Sequence, residues 1–190
     1  MDSAEPHQLS AELQQTARSL GRLLLQHGQR VVFAESCTAG LVAASLAIVP
    51  GISRCLCGSL VTYREASKTA WLGVDAQLIA AFTAVSPEVT AQMASAALQR
   101  TIEADWAAAV TGHLGPDAPP GSDGTIHIAV ARRLKRAIPQ STGFDAGPLE
   151  LTVQLKQQLS APTRVLRQQQ AAGSVLATLE QALRSKLEPA

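Results

Sequence analysis

Segments of helical period alternate in this chain with short, wholly apolar runs, and that alternation restricts the fold more than any other feature. Between Ser10 and His27, residues Leu13, Ala17, Leu20, Leu23 and Leu24 recur at helical spacing, and Gly28 supplies a stop. Val31-Val32-Phe33-Ala34 follows, and such a run suits a strand covered by helices on both faces. The order then repeats. Thr38–Val49 reads as a helix ended by Pro50-Gly51, Cys55–Tyr63 as a strand, and Ala66–Leu72 and Asp75–Phe82 as short helices. Ser86-Pro87 opens a helix running to about Glu103, and Ala107–Val110 is a third buried strand. Thr125–Ala131 and Leu149–Leu155 read as a terminal hairpin whose long tip is the turn-rich stretch Pro139–Pro148. A last helix spans about Ala161–Leu187, with Leu166, Gly173, Leu176, Leu179 and Leu183 on its inner face. The expected fold is α/β, a three-layer α/β/α sandwich with a mixed sheet. Residues 1–9 are expected to be a flexible tail and 10–190 a single domain.

Composition narrows the function. The net charge is +1 and only 16% of residues are charged, so no broad positive field exists to collect nucleic acid. Aromatic residues make up 3%, too few to build stacking platforms for single strands. Three cysteines, Cys37, Cys55 and Cys57, give no even disulfide framework and no zinc spacing; His113 and His127 are no better placed. The polar start Met1–Pro6 is not expected to be a signal peptide, and the longest apolar run, near Leu41–Pro50, is too short to cross a bilayer. The expectation is a reduced, cytoplasmic protein with no metal, no cofactor, no nucleic acid and no membrane partner. The cluster Arg132, Arg133, Lys135, Arg136 reads as a solvated hairpin tip.

Three segments carry chemistry, and each follows a strand. Glu35-Ser36-Cys37-Thr38-Ala39-Gly40 sits at a strand-to-helix turn, where backbone amides face a ligand and Ser36 or Cys37 can serve as nucleophile; plain helix capping by Ser36 or Thr38 is the alternative. Tyr63 to Lys68 follows the second strand, and Lys68 falls one turn into a helix. Thr111-Gly112-His113-Leu114-Gly115 ends the third strand. In open α/β sheets, ligands bind beyond the carboxyl ends of the strands, so the three segments are expected to meet at one edge. Arg164 and Arg167, at the start of the last helix, are candidates to clamp a phosphate or are surface charge.

The residues Ala34-Glu35-Ser36-Cys37-Thr38 with Gly40-Leu41, Val49-Pro50-Gly51, Val61-Thr62-Tyr63 with Lys68, Leu72-Gly73-Val74, Ala84-Val85-Ser86, Ala109-Val110-Thr111-Gly112 with Gly115-Pro116, and Gly124-Thr125 stand in order over residues 10–131. In this the chain resembles the C-terminal domain of the competence-damage-inducible protein CinA, a domain that also occurs alone as nicotinamide-nucleotide amidase. The resemblance implies hydrolysis of nicotinamide mononucleotide to nicotinic acid mononucleotide and ammonia, in pyridine-nucleotide recycling. It implies Ser36 as nucleophile and Lys68 as its base, with Tyr63 beside them. The substrate-binding residues it suggests, joined to the segments above, are Thr38, Gly40, Thr111, Gly112, Gly115, Arg164 and Arg167. A small pyridine nucleotide is the expected ligand and a homo-oligomer the expected assembly.

Several positions depart from the family pattern. Ala39 stands where a second glycine is usual, Arg64-Glu65 follow Tyr63 in place of Ser-Asn, and His113-Leu114 replace Ile-Ala. Ala118-Pro119-Pro120 alter the next loop. These changes motivate a rival reading, a catalytically silent nucleotide-binding or regulatory protein on the same scaffold. A third reading is a Cys37 hydrolase served by a histidine. Arg64, at i−4 from Lys68, is expected to depress the lysine pKa by repulsion; Glu65, at i−3, would oppose this by pairing with Lys68, but is expected to face solvent or Arg64 and to leave Lys68 functional.

Overall fold

The computed structural model describes residues 9–134, 138–140, 143–145 and 147–187. Helix α1 (Ala11–His27) is capped by the Ser10 hydroxyl, which accepts from Leu13 N, and ends at Gly28 in the left-handed conformation. It leads into β1 (Val31–Glu35), whose residues are all buried. Helix α2 (Leu41–Ala47) and a 3-10 turn at Ile52–Arg54 precede β2 (Leu56–Val61). A short α3 (Glu65–Ser67) widens directly into a π-helical stretch, Lys68–Leu72, which stops at left-handed Gly73. Then come α4 (Ala76–Phe82), α5 (Pro87–Arg100), β3 (Trp106–Gly112) and β4 (Thr125–Arg133). The turn-rich stretch holds a small antiparallel ribbon, β5 (Ile138–Gln140) with β6 (Gly143–Asp145). The chain closes with β7 (Leu149–Gln158) and α6 (Arg164–Leu187).

The main sheet has the order β2-β1-β3-β4-β7. β1 pairs in parallel with β2 and β3, while β4 runs antiparallel to both β3 and β7. Strand alternation divides the core into two layers. Val31, Phe33, Trp106, Ala108, Val110, Ile126, Ile128 and Val130 pack with α1, α2 and α6 on one face. Val32, Ala34, Ala107, Ala109, Ala129 and Ala131 meet Val89, Met93 and Ala97 of α5 on the other. The alanines on that second face have no bulk to hold α5 off the sheet. The expected sandwich and mixed sheet are therefore the observed fold.

Several element boundaries and faces differ from expectation, each for a local reason. The segment Thr38–Val49 becomes helical only from Leu41, because Ala39 and Gly40 both have positive φ, 52° and 98°. Leu166 is 44% exposed and does not join the inner face of α6, which is built from Ala171, Ala172, Val175, Leu176, Leu179 and Leu183. Leu9, assigned to the tail, packs against the core and accepts a hydrogen bond from Gln14 Nε2; residues 1–8 lie outside the described residues. The basic cluster is not a uniformly solvated tip. Arg133 is buried and donates to the carbonyls of Leu98, Thr101 and Ala104, so it caps the end of α5. Arg132 pairs with Glu150 at 2.6 Å, and its guanidinium lies 6.0 Å from the Trp106 ring centre. Lys135 and Arg136 lie outside the described residues. No described helix is long and apolar enough to cross a membrane.

Candidate active site

The parallel strands β1, β2 and β3 all end at the same edge of the sheet, and the segments that follow them converge there. Ser36, directly after β1, is 8% exposed and is tied to β3 by its N–H, which donates to Val110 O at 3.1 Å. Lys68 opens the π-helical stretch. It is among the largest fully buried side chains, at 1% exposure, although Thr69, Ala70 and Trp71 after it are exposed. Its Nζ lies 2.9 Å from Ser36 Oγ and donates to the Thr62 carbonyl at 2.8 Å. The amine thus spans the end of β2 and the hydroxyl after β1.

Burial lowers the Lys68 pKa below its ordinary 10.5, with Cys37, once ionised, and Glu65 opposing the shift. The expected repulsion from Arg64 is not among the causes. Arg64 is exposed, and its backbone caps α3 by exchanging hydrogen bonds with Ser67 Oγ. A buried amine held between a carbonyl and a hydroxyl is equipped to be neutral and to accept the hydroxyl proton. Cys37, the neighbouring nucleophile candidate, is 5% exposed, and burial pushes its thiol up to about 12. At neutral pH it is a protonated, poorly reactive thiol.

Neither Ser36 nor Thr38 caps α2. That work falls to Glu35, buried to 1% at the end of β1. Its Oε2 accepts from Thr38 Oγ1, Gly40 N and Val42 N, and its Oε1 from Ala43 N and Ser59 Oγ. The carboxylate occupies the helix N-terminus, which is therefore closed to a substrate anion. Thr38 and Gly40, expected to bind substrate, turn the Thr38 hydroxyl and the Gly40 amide to Glu35 instead. Thr111 is fully buried and shares a 2.8 Å hydrogen bond with Thr90 of α5, so it braces the site from behind.

The pocket over Ser36 and Lys68 has a volume of about 220 Å³ and is lined also by Tyr63, Gly112, His113 and Arg164. A second chamber of about 450 Å³ shares the Leu114–Ala118 wall and Arg164 with it and reaches Asp123 and Arg167. Gly112 is required by packing: a Cβ there would lie 2.5 Å from Ile126 Cγ2 and 2.9 Å from Thr125 O. Gly115 takes φ +67°, a region that favours glycine. Tyr63 is 54% exposed and stands at the mouth, where its hydroxyl accepts from Arg164 at 2.8 Å; it makes no hydrogen bond to Ser36 or Lys68. Arg164 also donates to Gly115 O and, among the described residues, has no carboxylate partner. Arg167 differs, since it is paired with Asp123 at 2.7 Å and holds the loops through Ala161 O and Leu114 O. Leu114 is buried and lines the pocket together with His113. Among the described residues, no cluster of three His, Cys, Asp or Glu side chains is placed to hold a metal.

Sequence reasoning missed two site residues. Glu35 was legible in principle as an acid at the end of an apolar strand. Gln168 of α6, which donates to the carbonyls of Cys37 and Thr38, left no local signal.

A family model for the CinA C-terminal domain matches residues 13–146. The chain belongs to this family. A CinA-like protein of Prochlorococcus marinus is 41% identical over 133 residues, covering 69% of this chain and 29% of its own length. A putative competence-damage inducible protein of Symbiobacterium thermophilum is 45% identical over 118 residues, 61% of this chain and 28% of its own. The chain thus spans less than a third of these relatives. Among solved structures, the competence/damage inducible protein CihA of Agrobacterium tumefaciens superposes with a TM-score of 0.79 at 27% identity, covering 92% of this chain and 98% of that one. The competence damage-inducible protein A of Klebsiella pneumoniae gives 0.76 at 26% identity, over 93% and 98%.

Proposed function

We propose that this CinA-family domain is an amidohydrolase that converts nicotinamide mononucleotide to nicotinic acid mononucleotide and ammonia. The observation that carries the reading is the buried Lys68 amine at 2.9 Å from Ser36 Oγ, with its pKa lowered by burial. Neutral Lys68 takes the Ser36 proton as Oγ attacks the carboxamide carbon. The resulting ammonium returns a proton to the amide nitrogen, and ammonia leaves an ester on Ser36. Water, deprotonated by the same lysine, then releases the carboxylic acid and restores the hydroxyl. Amide and water go in; acid and ammonia come out.

Arg164 supplies the anion contact. Its guanidinium faces both chambers and has no carboxylate partner among the described residues, while Arg167 is neutralised by Asp123. The substrate phosphate is therefore assigned to Arg164 rather than to the α2 amides, which Glu35 fills. The altered rim at His113 and Ala118 changes what lines the pocket but leaves the Ser36–Lys68 contact in place, which favours an enzyme over a silent binding protein.

Ammonia release from nicotinamide mononucleotide and from its dephosphorylated riboside tests the reading. Arg164→Ala is expected to raise KM for the mononucleotide by at least tenfold, about 1.4 kcal/mol of lost binding, and to change the riboside little. No ammonia from either compound, under conditions where the protein is folded, would overturn the proposal.

A further inference from the structure

The turn that carries Ser36 is backbone held away from its resting preferences. Ala39 has φ 52° and Gly40 has φ 98°, two consecutive left-handed residues of which one has a side chain. Such geometry persists where the surroundings over-determine it. From within, the Glu35 carboxylate grips Thr38, Gly40, Val42 and Ala43. From outside, Gln168 of α6 reaches in, and its Nε2 donates to Thr38 O at 3.0 Å and to Cys37 O at 3.4 Å.

A trans peptide points its N–H opposite its C=O. By drawing the Cys37 carbonyl toward α6, Gln168 turns the Thr38 N–H away from that helix. Apart from the Cys37 N–H beside its own thiol, the amides of Cys37 and Thr38 donate to no other group among the described residues, whereas those of Ser36, Ala39, Gly40 and Val42 are all engaged. Free amides directly after a nucleophile are the donors that a developing oxyanion needs.

We infer that Gln168 is a positioning residue, fixing the Ser36–Ala39 turn so that the amides of Cys37 and Thr38 receive the oxyanion. The inference rests on Ser36 as nucleophile. It places Gln168 outside the substrate contacts, because Gln168 lines neither chamber of the site.

The test uses two reactions of the full chain. One is ammonia release from nicotinamide mononucleotide; the other is acylation of Ser36 by 4-nitrophenyl acetate, which needs no nucleotide recognition. Gln168→Ala and Gln168→Glu remove the donor from a partly exposed helix position, and both are expected to fold with wild-type melting. A misplacement on the order of 1 Å costs about 10²-fold. The expected result is a fall of that order in kcat and in the acylation rate, with KM within about twofold and the pH limb of Lys68 unmoved. Wild-type acylation in both variants overturns the inference, and so does a loss seen only with lowered melting or raised KM. Intact acylation of wild type and slowed acylation in the variants, without any ammonia release, would support Gln168 while refuting the amidase reading. Failure of wild-type Ser36 to acylate would overturn both.

Discussion

Lys68→Met separates the catalytic and structural accounts of the buried amine. In the wild type, Lys68 is 1% exposed and burial lowers its pKa below 10.5. The unfolded chain therefore binds the proton more tightly than the native one. Stability is lost as pH falls from the unfolded pKa to the folded one, because only the unfolded state gains the proton readily. Between those two values, stability rises with pH by up to about 1.4 kcal/mol per pH unit. Below the folded pKa the penalty is complete and flat. Met fills a similar volume without a charge, but it withdraws the donor from Thr62 O, leaving a buried carbonyl at a cost of about 1–3 kcal/mol. That cost does not depend on pH. Urea unfolding of both proteins at pH 7, 8, 9 and 10 isolates the lysine, since other titrating groups cancel in the difference. The wild type is expected to gain on the variant as pH rises toward 10.5. A difference independent of pH across that range would show an unperturbed lysine and refute the argument for a neutral base. Turnover in Lys68→Met is expected to fall by about 10²-fold or more, the scale of a lost general base.

In the wild type, kcat/KM should rise with pH along one limb lying below 10.5; Glu65→Gln removes a charge that raises the Lys68 pKa, so the limb should move to lower pH, and a shift upward would contradict the assignment. Cys37→Ser should keep turnover near wild type and lose no more than about 1–2 kcal/mol of stability, as expected for a buried thiol that does no chemistry; near-complete loss of ammonia release would favour a cysteine mechanism. Ala39→Gly should not destabilise, although Ala→Gly costs about 0.5–1 kcal/mol in regular structure, because Ala39 sits at φ 52°; thermal melting reads this, and a drop of several degrees would refute the strain.

The fold was legible because its signals are local and redundant. Two buried apolar runs, Ser86-Pro87 at a helix start, and Gly28 and Gly73 at stops each mark an element alone. The convergence of Ser36, Tyr63 and Gly112 followed from a topological rule about strand ends. The roles inside the site were less legible, because they depend on which groups are already occupied. Thr38 and Gly40 look like ligand contacts in sequence, yet Glu35 takes the Thr38 hydroxyl and the Gly40 amide. Arg164 and Arg167 lie one turn apart, and only the Asp123 ion pair distinguishes them. The Arg64 effect failed for a simpler reason: Arg64 and Lys68 are joined by a regular i−4 turn, but Lys68 is directed into the core while the Arg64 side chain stays in solvent. Gln168 contacts a turn 130 residues away and is invisible to any local pattern.

The central claim is a covalent intermediate on Ser36, and rapid acid quenching tests it directly. Wild-type protein mixed with nicotinamide mononucleotide is quenched within the first turnover, digested and mapped by mass spectrometry. An ester of the nucleotide carboxyl on the Ser36 peptide, absent in Ser36→Ala and formed in step with ammonia, is the expected result. Ammonia released at wild-type rate by Ser36→Ala, or an adduct on Cys37 in place of Ser36, would contradict it.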